Sequence, residues 1–206
     1  MEKINIDFYR RDNVLQIAGE LLGKIVVTGW KGVVTSGRIV EVEAYNGIID
    51  KASHAFNGRR TARNEIMYAD GGVAYVYLCY GIHHLFNVVT NAKEIPHAIL
   101  IRALEPVKGI DIMLKRFGIN KSDSYRMNKP LTKGPGNLSK ALGITTLDSG
   151  YSLVGKEFFI ADDGFVFKKK EIAVSPRIGV DYAGKDALLP YRFYIRGNLF
   201  VSSKPK

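Results

Sequence analysis

The sequence predicts an α/β fold of the α+β kind. One domain over residues 1–206 carries a curved, largely antiparallel β-sheet flanked by helices, with a protruding β-hairpin. Three observations lead there. Runs rich in Val, Ile and Tyr follow one another with few helices between them, which argues against a doubly wound βαβ order. The 206 residues hold no repeat, low-complexity tract or Pro/Ser-rich linker, so no internal boundary is expected and one core suffices. Hydrophobic residues at 46% and charged residues at 24% are ordinary for a globular chain.

In chain order, a helix is expected over 13–22. There Val14, Leu15, Ile17, Ala18, Leu21 and Leu22 recur at helical spacing behind an Asp12-Asn13 start signal. Strands are expected at 24–28, 33–44, 73–78, 84–90 and 97–104, separated by Gly and polar turns. Helices follow at 109–117 and 138–142, the second announced by Gly134-Pro135-Gly136, and strands return at 158–166 and 191–201. Between the strands, residues 46–72 form a polar stretch with little periodicity that carries His54, Arg59, Arg60 and Arg63. Irregular segments of that length are uncommon and often functional.

Charge narrows the partner. Thirty Lys+Arg against twenty Asp+Glu leave +10, and such a surface attracts polyanions because neutralising phosphates releases counterions. Nucleic acid is the expected partner; a basic surface with no specific ligand is the plainer alternative. The single cysteine, Cys79, excludes a disulfide framework, a four-cysteine zinc site and an iron–sulfur cluster. It also excludes the His/Cys/Cys set of a zinc nucleobase deaminase. No run of eighteen apolar residues is present, and MEKINIDFYRRDN is too polar for a secretory signal. A cytoplasmic location is expected (nucleoid-associated in a bacterium), with no membrane partner.

Three clusters could carry chemistry. In the run Glu41-Val42-Glu43-Ala44-Tyr45, strand alternation puts Glu41, Glu43 and Tyr45 on one face, expected to look into solvent or a cleft. Two glutamates alone would read as a solvated edge. A carboxylate beside an aromatic ring also suits a purine site, where the ring stacks the base and the acid activates water. Tyr75 and Tyr77 share a strand face, and Tyr80-Gly81 reads as a hairpin tip. Aromatics at period two are usually sheet packing. A tip tyrosine is exposed, and a projecting ring can wedge between base steps. Arg102 interrupts an apolar strand and must be paired; a carboxylate such as Glu43 would satisfy it and keep the acid ionised.

The runs EVEAY (41–45), SHAFNGRRTARN (53–64), VAYVYLCYG (73–81), FNVV (86–89) and ILIRALEP (99–106) closely resemble the alkyladenine (3-methyladenine) DNA glycosylases. KGPGNLSKALGI (133–144), PRIGV and YRFYIRGNLFVS fit in the same order, so the resemblance covers nearly the whole chain. It implies a DNA repair enzyme that hydrolyses damaged purines from duplex DNA. Glu43 then matches the general base and Arg102 the arginine that orients the attacking water. Tyr45, Tyr77 and His54 match the walls around the flipped base, and Asn87 the pocket-floor asparagine. Tyr80 matches the tyrosine left in the duplex in place of the flipped nucleotide. For phosphates, the expected contacts are Arg59, Arg60, Arg63, Lys133 and the Gly134 turn, whose helix N-terminus offers N–H groups.

The pattern is broken at Ala62, where a proline is usual, and at His83 and His84, where aromatic or apolar residues are common. An alkylated purine already leaves easily, so one acid, one water and an aromatic slot suffice. No lysine nucleophile stands beside these residues, so a monofunctional enzyme is expected. It would act as a monomer, without cofactor or metal. The rival from another class is a non-catalytic nucleic-acid module, and a metal-dependent nuclease is weaker for want of clustered carboxylates.

Overall fold

The computed structural model describes residues 1–119 and 131–202. Within them nine strands form one sheet: β1 (Glu2–Lys3), β2 (Ile25–Trp30), β3 (Val33–Tyr45), β4 (Ala74–Cys79), β5 (His83–Thr90), β6 (His97–Lys108), β7 (Phe158–Asp162), β8 (Ile172–Ser175) and β9 (Arg192–Ile195). The order is β1-β7-β2-β3-β6-β5-β4, with β9 added to β3 and β8 to β9, and every pairing is antiparallel. The helices are α1 (Ile6–Tyr9), α2 (Val14–Leu21), α3 (Ile110–Arg116) and α4 (Pro135–Leu142). None of them is long and apolar enough to cross a membrane.

α2 starts where Asn13 caps it, its side chain accepting from Gln16 N–H at 3.0 Å. It packs Val14, Ile17, Ala18 and Leu21 onto β3, while α4 lies on β5 and β6 with Leu138, Ala141 and Leu142 buried. Each fully buried Ile or Leu contributes about 1.5–3 kcal/mol of apolar burial. Both helices therefore grip the centre of the sheet and leave its other face to the irregular segments.

β3 organises the site. Its first half, Val33 to Arg38, pairs with β2; its last part, Glu41 to Glu43, pairs with β9; β6 runs along its other side. Between Ile39 and Val42 the register with β6 shifts twice, leaving Val40 as an extra residue on β3 and Arg102 as one on β6. Such bulges bend a strand and re-aim side chains. Here the bend releases β3 from one neighbour, admits another, and sets Arg102 between two glutamates.

Several elements were not legible in the pattern. β1, β8 and the single turn α1 are too short for periodicity to register. β7 stops at Asp162, because Asp162 accepts from Gly164 N–H at 2.9 Å in a turn with Gly164 at φ +81°. β9 likewise stops at Ile195, with Gly197 at φ +70° behind it. Residues 46–72 contain three short 3-10 turns, pinned by Asn64, whose amide donates to the carbonyls of His54 and Arg59.

Candidate active site

The two glutamates do not face solvent. Glu41 and Glu43 are both completely buried, because the segments around 178 and 202 cover that face of β3 and strand β9 pairs along its edge. The expectation of an open polar face is corrected accordingly. A strand inside a sheet with both faces covered has no solvated edge.

Burial on this scale requires full compensation. Glu43 accepts from the Tyr45 hydroxyl at 3.0 Å and Arg102 Nη1 at 3.1 Å on Oε2, and from the Ile178 N–H at 2.7 Å on Oε1. Glu41 accepts from Arg102 Nε at 2.9 Å, Arg192 Nε at 2.8 Å, and Ser202 through its N–H at 2.6 Å and hydroxyl at 2.9 Å. Arg102 thus bridges the two acids. Burial alone would lower its pKa, but Glu43 and Glu41 outweigh that and hold it raised, so it is a permanent cation. Burial, then the Glu43 charge, keeps the Tyr45 hydroxyl well above the usual phenol range, so it stays a donor.

Beside this cluster the aromatic residues converge. Tyr45, His54, Tyr75, Tyr77, Asn87 and Tyr182 line a slot of about 30 Å³, floored by Met67, Ala52 and Ala98. That is room for a water or two and not for a purine. The His54 ring stands edge-on to Tyr77, centroids 4.6 Å apart, and its Nδ1 shares a 2.8 Å hydrogen bond with the Tyr75 hydroxyl. Burial, helped by the Arg63 and Arg59 charges, pushes the His54 pKa down to about 4, so the ring is neutral at pH 7. The Asn87 amide nitrogen donates to the carbonyls of Tyr75 and Leu85, which fixes the side chain on the slot floor. Behind Tyr45 the buried Arg177 guanidinium lies 4.8 Å from the ring centre and is held by Asp50.

The slot opens into a cleft of about 560 Å³, rimmed by Tyr80, Arg63, Arg102 and the Gly134 turn. Tyr80 tips the β4–β5 hairpin and is 91% exposed. Tyr80 and Gly81 have φ of +50° and +72°, and the Cys79 carbonyl accepts from Ile82 N–H at 3.2 Å. Two successive left-handed residues are the mark of a tight hairpin turn whose twist matches its strands. Arg63 donates to the Leu78 carbonyl at 3.2 Å and lies 5.0 Å from the Tyr77 ring centre. Arg60 is held by Glu65 and Glu94, each at 2.6 Å, and Arg59 is exposed. Lys133 pairs by its backbone with Ala103, and neither it, Arg59 nor Arg60 lines the cleft.

The sequence pattern of the family described as methylpurine-DNA glycosylase matches residues 7–199. The chain belongs to that family. It is therefore a DNA glycosylase, with DNA as its substrate. A Clostridium perfringens (strain 13 / Type A) protein is 42% identical over 206 residues, covering 98% of this chain and 100% of its own. A Bacillus cereus (strain G9842) protein is 47% identical, covering 96% and 97%, and a Chlamydia felis (strain Fe/C-56) protein is 46% identical, covering 91% and 93%. All three are provisionally named 3-methyladenine DNA glycosylases.

In this glycosylase the structure brings Tyr45, His54, Tyr77 and Asn87 together at one slot, with Arg102, Tyr80, Arg63 and Gly134 on the cleft outside it, and Glu43 buried behind Tyr45 and Arg102, bonded to both. Arg177, Ile178, Tyr182, Arg192 and Ser202 complete the site, and sequence reasoning gave them no role. The only signal was that PRIGV and YRFYIRGNLFVS belonged to the family pattern; nothing local says that they close over residues 41–45.

Proposed function

We propose that this glycosylase flips alkylated or deaminated purines, among them 3-methyladenine, 7-methylguanine, hypoxanthine and 1,N6-ethenoadenine, out of duplex DNA. It hydrolyses the N-glycosidic bond with a water activated by Glu43 and leaves an abasic site. The observation that carries this reading is one buried carboxylate, Glu43, whose Oε2 is shared by Tyr45 and Arg102, two residues lining the cleft.

The chemistry follows from those partners. All three neighbours of Glu43 donate, so the acid is held as an acceptor, and a water reaches it where Tyr45 and Arg102, which share its Oε2, meet the cleft. The water oxygen attacks C1′ as the C1′–N bond breaks; the bonding pair leaves with the base, and the water proton passes to Glu43. Arg102 keeps its charge throughout and orients the water. A methylated purine is cationic, so it leaves neutral and stacks well between the Tyr45 and Tyr77 faces. In the tautomer in which Nδ1 accepts from the Tyr75 hydroxyl, the His54 proton is on Nε2 and serves the base as a hydrogen-bond donor. No step needs a cofactor, a metal or a lysine nucleophile. Tyr80 holds the space that the flipped nucleotide vacates, since unstacking costs a few kcal/mol and must be offset. The +10 charge draws the duplex in, with Arg63 and the Gly134 turn at the phosphates, and one copy of the chain suffices.

The test is single-turnover base release from duplexes carrying each lesion, in excess chelator, by wild type and Glu43→Gln. Release by wild type with a loss of about 10²–10⁴-fold in the variant is the expected result for a general base. Duplex binding with no release by wild type from any lesion would replace this reading with a non-catalytic binding module.

A further inference from the structure

We infer that Tyr182 is the moving wall of the base slot: its ring swings away to admit the flipped purine and closes behind it. The inference rests on the slot being the base site. The enclosed part of the slot, about 30 Å³, is smaller than a purine, so a base seated on its floor requires one of the walls that the slot shares with the cleft to move. Most walls cannot. Tyr75 and Asn87 are buried, Tyr45 is tied to Glu43 and backed by Arg177, and His54 is tied to Tyr75. Tyr182 is different, because it is 70% exposed and lines both the slot and the outer cleft. Its hydroxyl reaches across to the Ala52 carbonyl at 3.1 Å, its one side-chain hydrogen bond among the described residues.

The local backbone suits a hinge. Gly179 at φ +74° and Gly184 at φ +59° flank the residue, and an added Cβ at either would meet open space. Left-handed glycines of this kind hold a conformation that other residues adopt only at a cost. On the N-terminal side the segment is anchored to the chemistry, since Ile178 N–H holds Glu43 and Arg177 holds Asp50. Val180 and Ala183 pack with Ala52 beneath the ring. A base between Tyr45 and Tyr77 would therefore meet the Tyr182 ring at its open side. One neutral hydrogen bond across the mouth is a weak tie, so thermal opening is easy and reclosure gains a ring contact.

The experiment compares wild type, Tyr182→Ala and Tyr182→Phe in single-turnover release of hypoxanthine and 1,N6-ethenoadenine from duplexes. In parallel, acrylamide quenching of ethenoadenine fluorescence is read in complexes made with each variant in a Glu43→Gln background. Losing a base–aromatic contact of about 1–3 kcal/mol predicts release slowed about 5- to 150-fold in Tyr182→Ala. The bound etheno base should also become more open to quencher, with Tyr182→Phe within about threefold of wild type on both readouts. Unchanged release and quenching in a folded Tyr182→Ala would overturn the inference, as would equal loss in Tyr182→Phe, which makes the hydroxyl rather than the ring responsible. If Tyr182→Ala does not fold, Tyr182→Leu, flexible but not aromatic, takes its place with the same readings. A wild type that releases neither base refutes the proposed function instead, so the two failures are distinguishable.

Discussion

The acid end and the hairpin tip of this sheet stand less than a cleft apart and are built on opposite terms. Around Glu41 and Glu43 every oxygen is met by a donor, nothing is exposed, and the partners come from residues 102, 178, 192 and 202. At Tyr80 the ring is 91% exposed and the backbone is left-handed at a non-glycine residue. One region is over-determined by tertiary contacts; the other departs from a stability optimum in order to project a ring. On the function proposed above, the contrast separates what stays still during hydrolysis from what leaves water and enters a duplex.

The largest effect should come from breaking the first region. Arg102→Met leaves two buried carboxylates without their shared cation, and losing one partner of a buried network costs about 3–5 kcal/mol. Urea unfolding should show a midpoint shift of that size; a shift near zero would mean that water enters the cluster and that burial is not what holds it.

A smaller effect lies at the slot, between the two extremes. His54 is held at about 4, below its ordinary 6.5. Its folded state resists protonation while the unfolded chain accepts it, so this residue costs nothing above pH 6.5. It subtracts stability as pH falls from 6.5 toward 4, by up to about 3 kcal/mol when the drop is complete. Comparing denaturation of wild type and His54→Gln from pH 7 to 4 should show the wild type losing more. Parallel curves would mean that the ring titrates normally.

The smallest stability effect, with its sign reversed, belongs to the tip. Tyr80→Gly removes left-handed strain from an exposed residue and should raise stability by roughly 0.5–1 kcal/mol while weakening capture of damaged duplex. A variant that loses stability would show that the ring packs on something in the free protein and that the two regions are less different than they look.

How much of this was legible follows the same division. Tyr80-Gly81 at a hairpin, the shared face of Glu41, Glu43 and Tyr45, and an Arg102 needing a carboxylate are all consequences of local pattern. The Asn13 cap and the α2 stripe were equally local. What the sequence did not show is the covering of the acids, because Ile178 and Ser202 reach Glu43 and Glu41 across 135 and 161 residues. The double bulge that places Arg102 between the acids was also hidden, since alternation assumes an unbroken ladder. Arg60 looked free for phosphate, yet the fold brings Glu65 and Glu94 to it.

The strand that changes neighbours at its bulge also sets an order of assembly. β3 can pair with β2 as soon as the hairpin between them closes, but its acid-bearing end waits for β9 and Ser202, contributed 151 and 161 residues later. Long-range pairings of this kind form late, because the intervening chain must be ordered before they bring any gain. Until then Glu41 lacks Arg192 and Ser202, and neighbouring Glu43 sits in a half-walled pocket. The acid cluster is complete only once the last strand and the residues behind it have docked.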